Sequence, residues 1–158
     1  MPGDLDPVLR WPDPVNPTGL GSEELYYVAV REDGRSLLPI PTVERPLRIW
    51  VGGDSLSGGA AFGFERLVLG DPNFVVTEEV RLSTGVVSDW YFDWVDHLSS
   101  TVGDGGYDVI VLSMGGNDAQ RFRGTADLVG SDEWQRRYRD RVEAMFAAVD
   151  RPGRLVVW

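Results

Sequence analysis

A serine stands inside a run of small residues, Val51-Gly52-Gly53-Asp54-Ser55-Leu56-Ser57-Gly58-Gly59. A β-prone stretch leads into the run and a helix-prone stretch leads out, and its glycines let the backbone turn sharply and a ligand come close. Ser55 would then sit at the positive end of the following helix, which suits a nucleophile whose attack generates negative charge. Read alone, the turn equally suits a plain strand-to-helix junction with Ser55 as a cap, or a glycine-rich phosphate loop. Against phosphate, the P-loop spacing, its lysine and a dinucleotide fingerprint are all missing. A second cluster, Ser113-Met114-Gly115-Gly116-Asn117-Asp118, follows the apolar run Val109 to Leu112. The Asn117 amide could donate to an oxyanion, and losing one such donor typically costs about 3 kcal/mol of transition-state stabilisation. The bland counterpart is an Asx turn in which Asn117 and Asp118 bond only local backbone.

Composition closes off other chemistries. Every basic residue is arginine and cysteine is absent, which excludes Schiff-base and Ser-Lys mechanisms, thiol nucleophiles and cysteine-based zinc sites. No paired-ligand spacing calls for a metal, and no motif calls for a cofactor. The single histidine, His97, lies in Trp94-Val95-Asp96-His97-Leu98. Neighbouring helical positions do not face each other, so Asp96 and His97 make no dyad, and His97 reads as a packing or surface residue. A net charge of −10 disfavours nucleic acid and anionic lipid as partners.

These groups need a scaffold, and the hydrophobic pattern supplies one. Leu47 to Val51 (ending in Gly52-Gly53), Phe74 to Val80, Val109 to Leu112 and Leu155 to Trp158 read as strands; the last two read as strands buried on both faces. Helices are predicted at Ala60 to Leu69, Ser88 to Leu98 and Asp132 to Val149. In the third, Trp134, Tyr138, Val142, Met145, Phe146 and Val149 share a face, Ser131 is the natural N-cap, and Arg136, Arg137, Arg139 and Arg141 read as a solvated face. Trp90, Tyr91, Phe92 and Trp94 have the helical spacing of core residues; lining an acyl or sugar pocket is the alternative. Strands alternating with helices imply a parallel α/β sheet with right-handed crossovers and ligands at the strands' carboxyl ends.

Eight of the ten prolines fall within the first 46 residues, so residues 1–45 are expected to be an irregular arm or linker. Within it, Leu25 to Val30 and Ser36 to Ile40 flank Glu32-Asp33-Gly34 as a hairpin. Residues 46–158 form the main domain. The chain stops on an apolar strand whose next loop would belong to the ligand-binding rim, so it is expected to be cut short after the fourth strand. Met1 to Arg10 has neither the basic start nor the apolar stretch of a secretory signal. No apolar run reaches the roughly 18 to 20 residues of a membrane span.

Gly53-Asp54-Ser55-Leu56 and Gly115-Gly116-Asn117-Asp118, each following its own strand, with Ser83-Thr84-Gly85 between them, resemble the signature blocks of the SGNH (GDSL-like) hydrolase superfamily. The resemblance covers about Arg45 to Trp158. Leu47 to Ser55, Ser83-Thr84-Gly85 with the later Phe92-Asp93-Trp94, and Val109 to Gln120 look closer still to a bacterial cell-envelope subgroup of SGNH-like domains. The resemblance implies a three-layer α/β/α sandwich with strands in flavodoxin-like order 2-1-3-4 and a fifth strand absent. It implies Ser55 as nucleophile, and the Ser55 N–H, the Gly85 N–H and the Asn117 amide as the oxyanion hole. Asp54 and Asp118 would brace their turns. The superfamily takes its base from a late D-x-x-H block that nothing here matches, so the expected base lies beyond Trp158 and the chain as given should be nearly inactive. The implied reaction is cleavage of an O-acyl or O-acetyl ester, of a small molecule or a glycan, without cofactor or metal. Acyl transfer at the same site and a non-catalytic binding domain are the alternatives. The resemblance favours an extracytoplasmic or cell-envelope location and leaves the oligomeric state open.

Overall fold

The computed structural model describes residues 38–158, of which Ile40–Trp158 form one unit. The proline-rich arm up to residue 37 lies outside the described residues, as does the hairpin apart from its last residues.

Four strands form one parallel sheet: β1 (Leu47–Gly53), β2 (Phe74–Val80), β3 (Val109–Ser113) and β4 (Leu155–Val157), in the order β2-β1-β3-β4. Three helical segments connect them: α1 (Ser57–Leu67), α2 (Trp94–His97, continuing through wider π-helical turns over Leu98–Val102) and α3 (Asp132–Val149). The pairing register places them on opposite faces of the sheet. Trp50 and Gly52 of β1 stand level with Thr77 and Glu79 of β2, and side chains alternate between faces along a strand. The Trp50 ring meets Trp94 of α2 edge-on at 6.5 Å, and it shares a core with Leu98, Ile110, Leu112, Met145 and Val149. Gly58 of α1 lies instead against Glu78 and Val80, whose side chains point the other way. The architecture is therefore a three-layer α/β/α sandwich around a parallel sheet, as the family resemblance implies.

Three local differences from the sequence reading have physical causes. First, α1 starts at Ser57 rather than Ala60. Ser57 is buried and its hydroxyl donates to the Asp54 carbonyl at 2.7 Å, anchoring the first turn. Second, no helix begins at Ser88. Residues 88–93 turn back on themselves through bonds from the Tyr91 and Phe92 N–H groups to the Ser88 carbonyl. The helix begins only where Asp93 caps it, accepting from the Val95 N–H at 3.0 Å and the Asp96 N–H at 3.3 Å. Third, β4 is an edge strand, and Val157 and Trp158 remain part-exposed rather than buried on both faces.

The Ser131 cap forms as expected, its side chain accepting from the Trp134 N–H. No helix among the described residues is long and apolar enough to cross a membrane.

Candidate active site at the switch point of the sheet

The order β2-β1-β3-β4 puts a topological switch at the carboxyl ends of β1 and β3. From β1 the chain passes into α1 on one face. From β3 it returns through α3 on the other. Crevices at such points are where open α/β sheets bind ligands. The strand ends approach closely here. Gly53 has φ +149°, and a Cβ on it would lie 2.1 Å from the Ser113 carbonyl oxygen. Only glycine fits that position.

A buried carboxylate joins the two turns beyond these ends. Asp54 is wholly buried. Its Oδ1 accepts from the Leu56 N–H at 2.8 Å, and its Oδ2 accepts from the N–H groups of Gly115 and Gly116 at 2.9 and 3.1 Å. Charge-assisted bonds to backbone donors are stronger than neutral ones, so Asp54 clamps the Ser55 turn to the Asn117 loop. The sequence reading has Asp54 brace its own turn; the structure extends that brace across the sheet. Ser55 is left exposed at the start of α1.

A second carboxylate joins that loop to the turn after β2. Asp118 is buried, and it accepts from the Val86 N–H at 3.2 Å, the Val87 N–H at 3.0 Å and the Tyr138 hydroxyl at 3.0 Å. Gly85 packs so tightly on it that a Cβ would lie 2.3 Å from Asp118 Oδ1. Asn117 turns its amide toward the same segment, Nδ2 donating to the Thr84 carbonyl at 2.8 Å. An amide carries two N–H donors, so one remains. The preceding Ser83 sits at φ 64°, a left-handed conformation costly for a residue with a side chain. Thr84 supports the bend, its hydroxyl donating to the Arg81 carbonyl at 2.7 Å. The turns of Ser55, Gly85 and Asn117 are thus laced together at one rim by two buried carboxylates and one amide.

Protein-family comparison matches residues 48–158 to the family described as a protein of unknown function, DUF459. The chain belongs to the DUF459 family. The match starts inside β1 and takes in all three laced turns, and a search of curated proteins returned no match.

The histidine of the DUF459 domain stands apart from this network. His97 Nε2 lies 2.9 Å from Glu79 Oε1, and its ring packs against Phe92 and Trp94. Its acidic partner comes from β2, not from adjacent Asp96. Arg81 donates to the same Glu79 oxygen through Nε and a terminal nitrogen. Burial pushes the Glu79 carboxyl up, but the bonds and charges of His97 and Arg81 outweigh it and hold the group below its ordinary value.

Two residues absent from the sequence-predicted site prove central to its bracing. Tyr138 reads as part of the apolar stripe of α3, yet its hydroxyl reaches Asp118. Burial, and then the Asp118 and Asp54 carboxylates, push its phenol above the ordinary range, so it stays a donor. Gln120 bonds the Asn117 carbonyl at 2.7 Å and the Ser88 hydroxyl at 3.1 Å through Nε2. A lone hydroxyl within a helix's apolar stripe was the one sequence signal for Tyr138; Gln120 had none.

Proposed function

We propose that this DUF459 domain is a serine acyl-ester hydrolase of the SGNH type, acting on O-acyl or O-acetyl esters through an acyl-enzyme on Ser55. The observation that carries this reading is the lacing of the Ser55, Gly85 and Asn117 turns at the switch point. Ser55 Oγ attacks the ester carbonyl carbon while a base takes its proton. The tetrahedral oxyanion is met by the backbone N–H groups of Ser55 and Gly85, which donate to no protein acceptor among the described residues, and by the second Asn117 amide hydrogen. The bond to the alcohol oxygen then breaks as that oxygen is protonated, and water repeats the sequence to release the acid.

Among the described residues the one imidazole, His97, is engaged by Glu79. Attack by Ser55 in this chain therefore depends on an added base. The same engagement favours a second reading, a binding domain of the same fold that does no chemistry.

The test is hydrolysis of p-nitrophenyl acetate by the 158-residue protein with imidazole supplied as the base. Turnover above the imidazole-only rate, and an acetyl group on the peptide bearing Ser55, are expected, and both should vanish in Ser55→Ala. Turnover indifferent to Ser55→Ala would leave the binding domain.

A further inference from the structure

Four neighbouring aromatic residues of the sequence part company in the fold. Phe92 and Trp94 turn inward, their rings 4.8 Å apart, and Trp94 is only 2% exposed. Trp90 and Tyr91 turn outward and are 57% and 58% exposed, their rings 6.0 Å apart and tilted by 58°. Exposing two large rings side by side is costly unless something covers them at work.

The pair is held in place. The Ser88 hydroxyl meets Gln120 Nε2, which also bonds the Asn117 carbonyl. Asp89 is gripped by Arg141 of α3 at 2.6 Å. The aromatic pair is therefore fastened to the loop that carries Asn117. That loop carries two cations, Arg121 and Arg123. Phe122 is buried against Trp134 at 6.0 Å and pins the loop, while Arg121 and Arg123 on either side of it stay exposed. The Arg123 guanidinium lies 4.9 Å from the centre of the Trp90 ring.

Charge and position together bear on these two arginines. In a protein of net charge −10, Arg45, Arg81, Arg136, Arg137, Arg141 and Arg151 each pair with a carboxylate. Arg121 and Arg123 have no carboxylate partner among the described residues, and neither do Arg48, Arg66, Arg139 and Arg154; of these six, Arg123 is the one whose guanidinium lies over the exposed Trp90 ring. A flat apolar face takes the C–H face of a sugar ring, and an unpaired guanidinium takes a carboxylate in bidentate fashion.

We infer that Trp90, Tyr91, Arg121 and Arg123 form a substrate platform for an anionic saccharide, a sugar chain bearing carboxylates, presented beside the ester that Ser55 attacks. The link to ester cleavage rests on the hydrolase reading; the binding does not.

The test is titration of the 158-residue protein with trigalacturonate, followed by tryptophan fluorescence, beside cellotriose as the neutral control and triglutamate as a peptide of similar charge. Trigalacturonate should bind saturably and weaken with added salt, with cellotriose and triglutamate at least about tenfold weaker. Trp90→Ala and Arg123→Gln should each weaken trigalacturonate about tenfold or more without lowering Tm, since both side chains are exposed. Equal binding of triglutamate would mean that charge alone is read and would overturn the saccharide assignment. Equal binding of cellotriose would overturn the anionic part, and no binding would overturn the whole. Ser55→Ala should bind trigalacturonate as the parent does. Binding intact in a protein whose Ser55 proves unreactive would sink the hydrolase reading and leave the platform standing.

Discussion

Two acidic regions at the carboxyl edge of the same sheet are built on different plans. At the switch point, Asp54 and Asp118 are buried and accept from backbone N–H groups of residues 56, 86, 87, 115 and 116, with the Tyr138 hydroxyl as the one side-chain donor. At the end of β2, Glu79 is partly exposed and is met by the side chains of His97 and Arg81. Backbone donors cannot choose another rotamer, so the first plan fixes the loops through groups that are part of the chain itself. The second ties a helix to a strand with groups that respond to pH and salt. The chain spends its buried charge where turns must be positioned and its half-exposed charge where a helix need only be docked.

The largest effect should come from breaking the first plan. Asp118→Ala leaves the Val86 and Val87 N–H groups and the Tyr138 hydroxyl without their acceptor. At about 1–3 kcal/mol for each orphaned buried group, the expected loss is about 4 kcal/mol or more in urea unfolding. A loss below about 1 kcal/mol would mean that packing, not the carboxylate, holds the turns.

Gly85→Ala probes the same brace by contact. The new Cβ would start 2.3 Å from Asp118 Oδ1, so the carboxylate must swing away, at a cost of about 2 kcal/mol. Imidazole-assisted acetylation of Ser55 should fall with it. Gly59→Ala is the matched control. It lies in α1 with nothing within 4 Å of a new Cβ, and it should be neutral or stabilise by up to about 1 kcal/mol.

The smallest effect belongs to the second plan. A carboxyl held below its ordinary value stabilises the fold fully above that value, and the contribution is lost as pH falls through the folded one. For Glu79, faced by His97 and Arg81, the loss begins below about 4.5, the ordinary carboxyl value. Acid unfolding should therefore be flatter below that pH in Glu79→Gln than in the parent, by less than about 1 kcal/mol given partial exposure. Equal slopes would show that the pair adds nothing to stability.

Much of this molecule could be read before its fold was known. All four strands were legible because apolar runs bounded by glycine and polar turns have few alternatives, and α3 was legible from its cap and stripe. The start of α2 was not. Trp90, Trp94 and Leu98 have helical spacing, but the Asp93 side chain caps the helix after Trp90, so Trp94 is buried and Trp90 is not. Periodicity counts apolar residues and is blind to which chain segment a carboxylate will bond.

The sequence by itself determined the elements and the chemistry available: strand, turn and helix in order, a serine and an asparagine each just past a strand, one histidine, no lysine and no cysteine. Those are local properties, fixed by residue type and spacing. Tertiary structure decided who meets whom. It carried Asp54 to Gly115 and Gly116, which lie 61 and 62 residues away, and Asp118 to Tyr138. It gave His97 to Glu79 and turned Trp90 and Tyr91 outward beside Arg123. Such pairings depend on strand order and register, which no local pattern encodes.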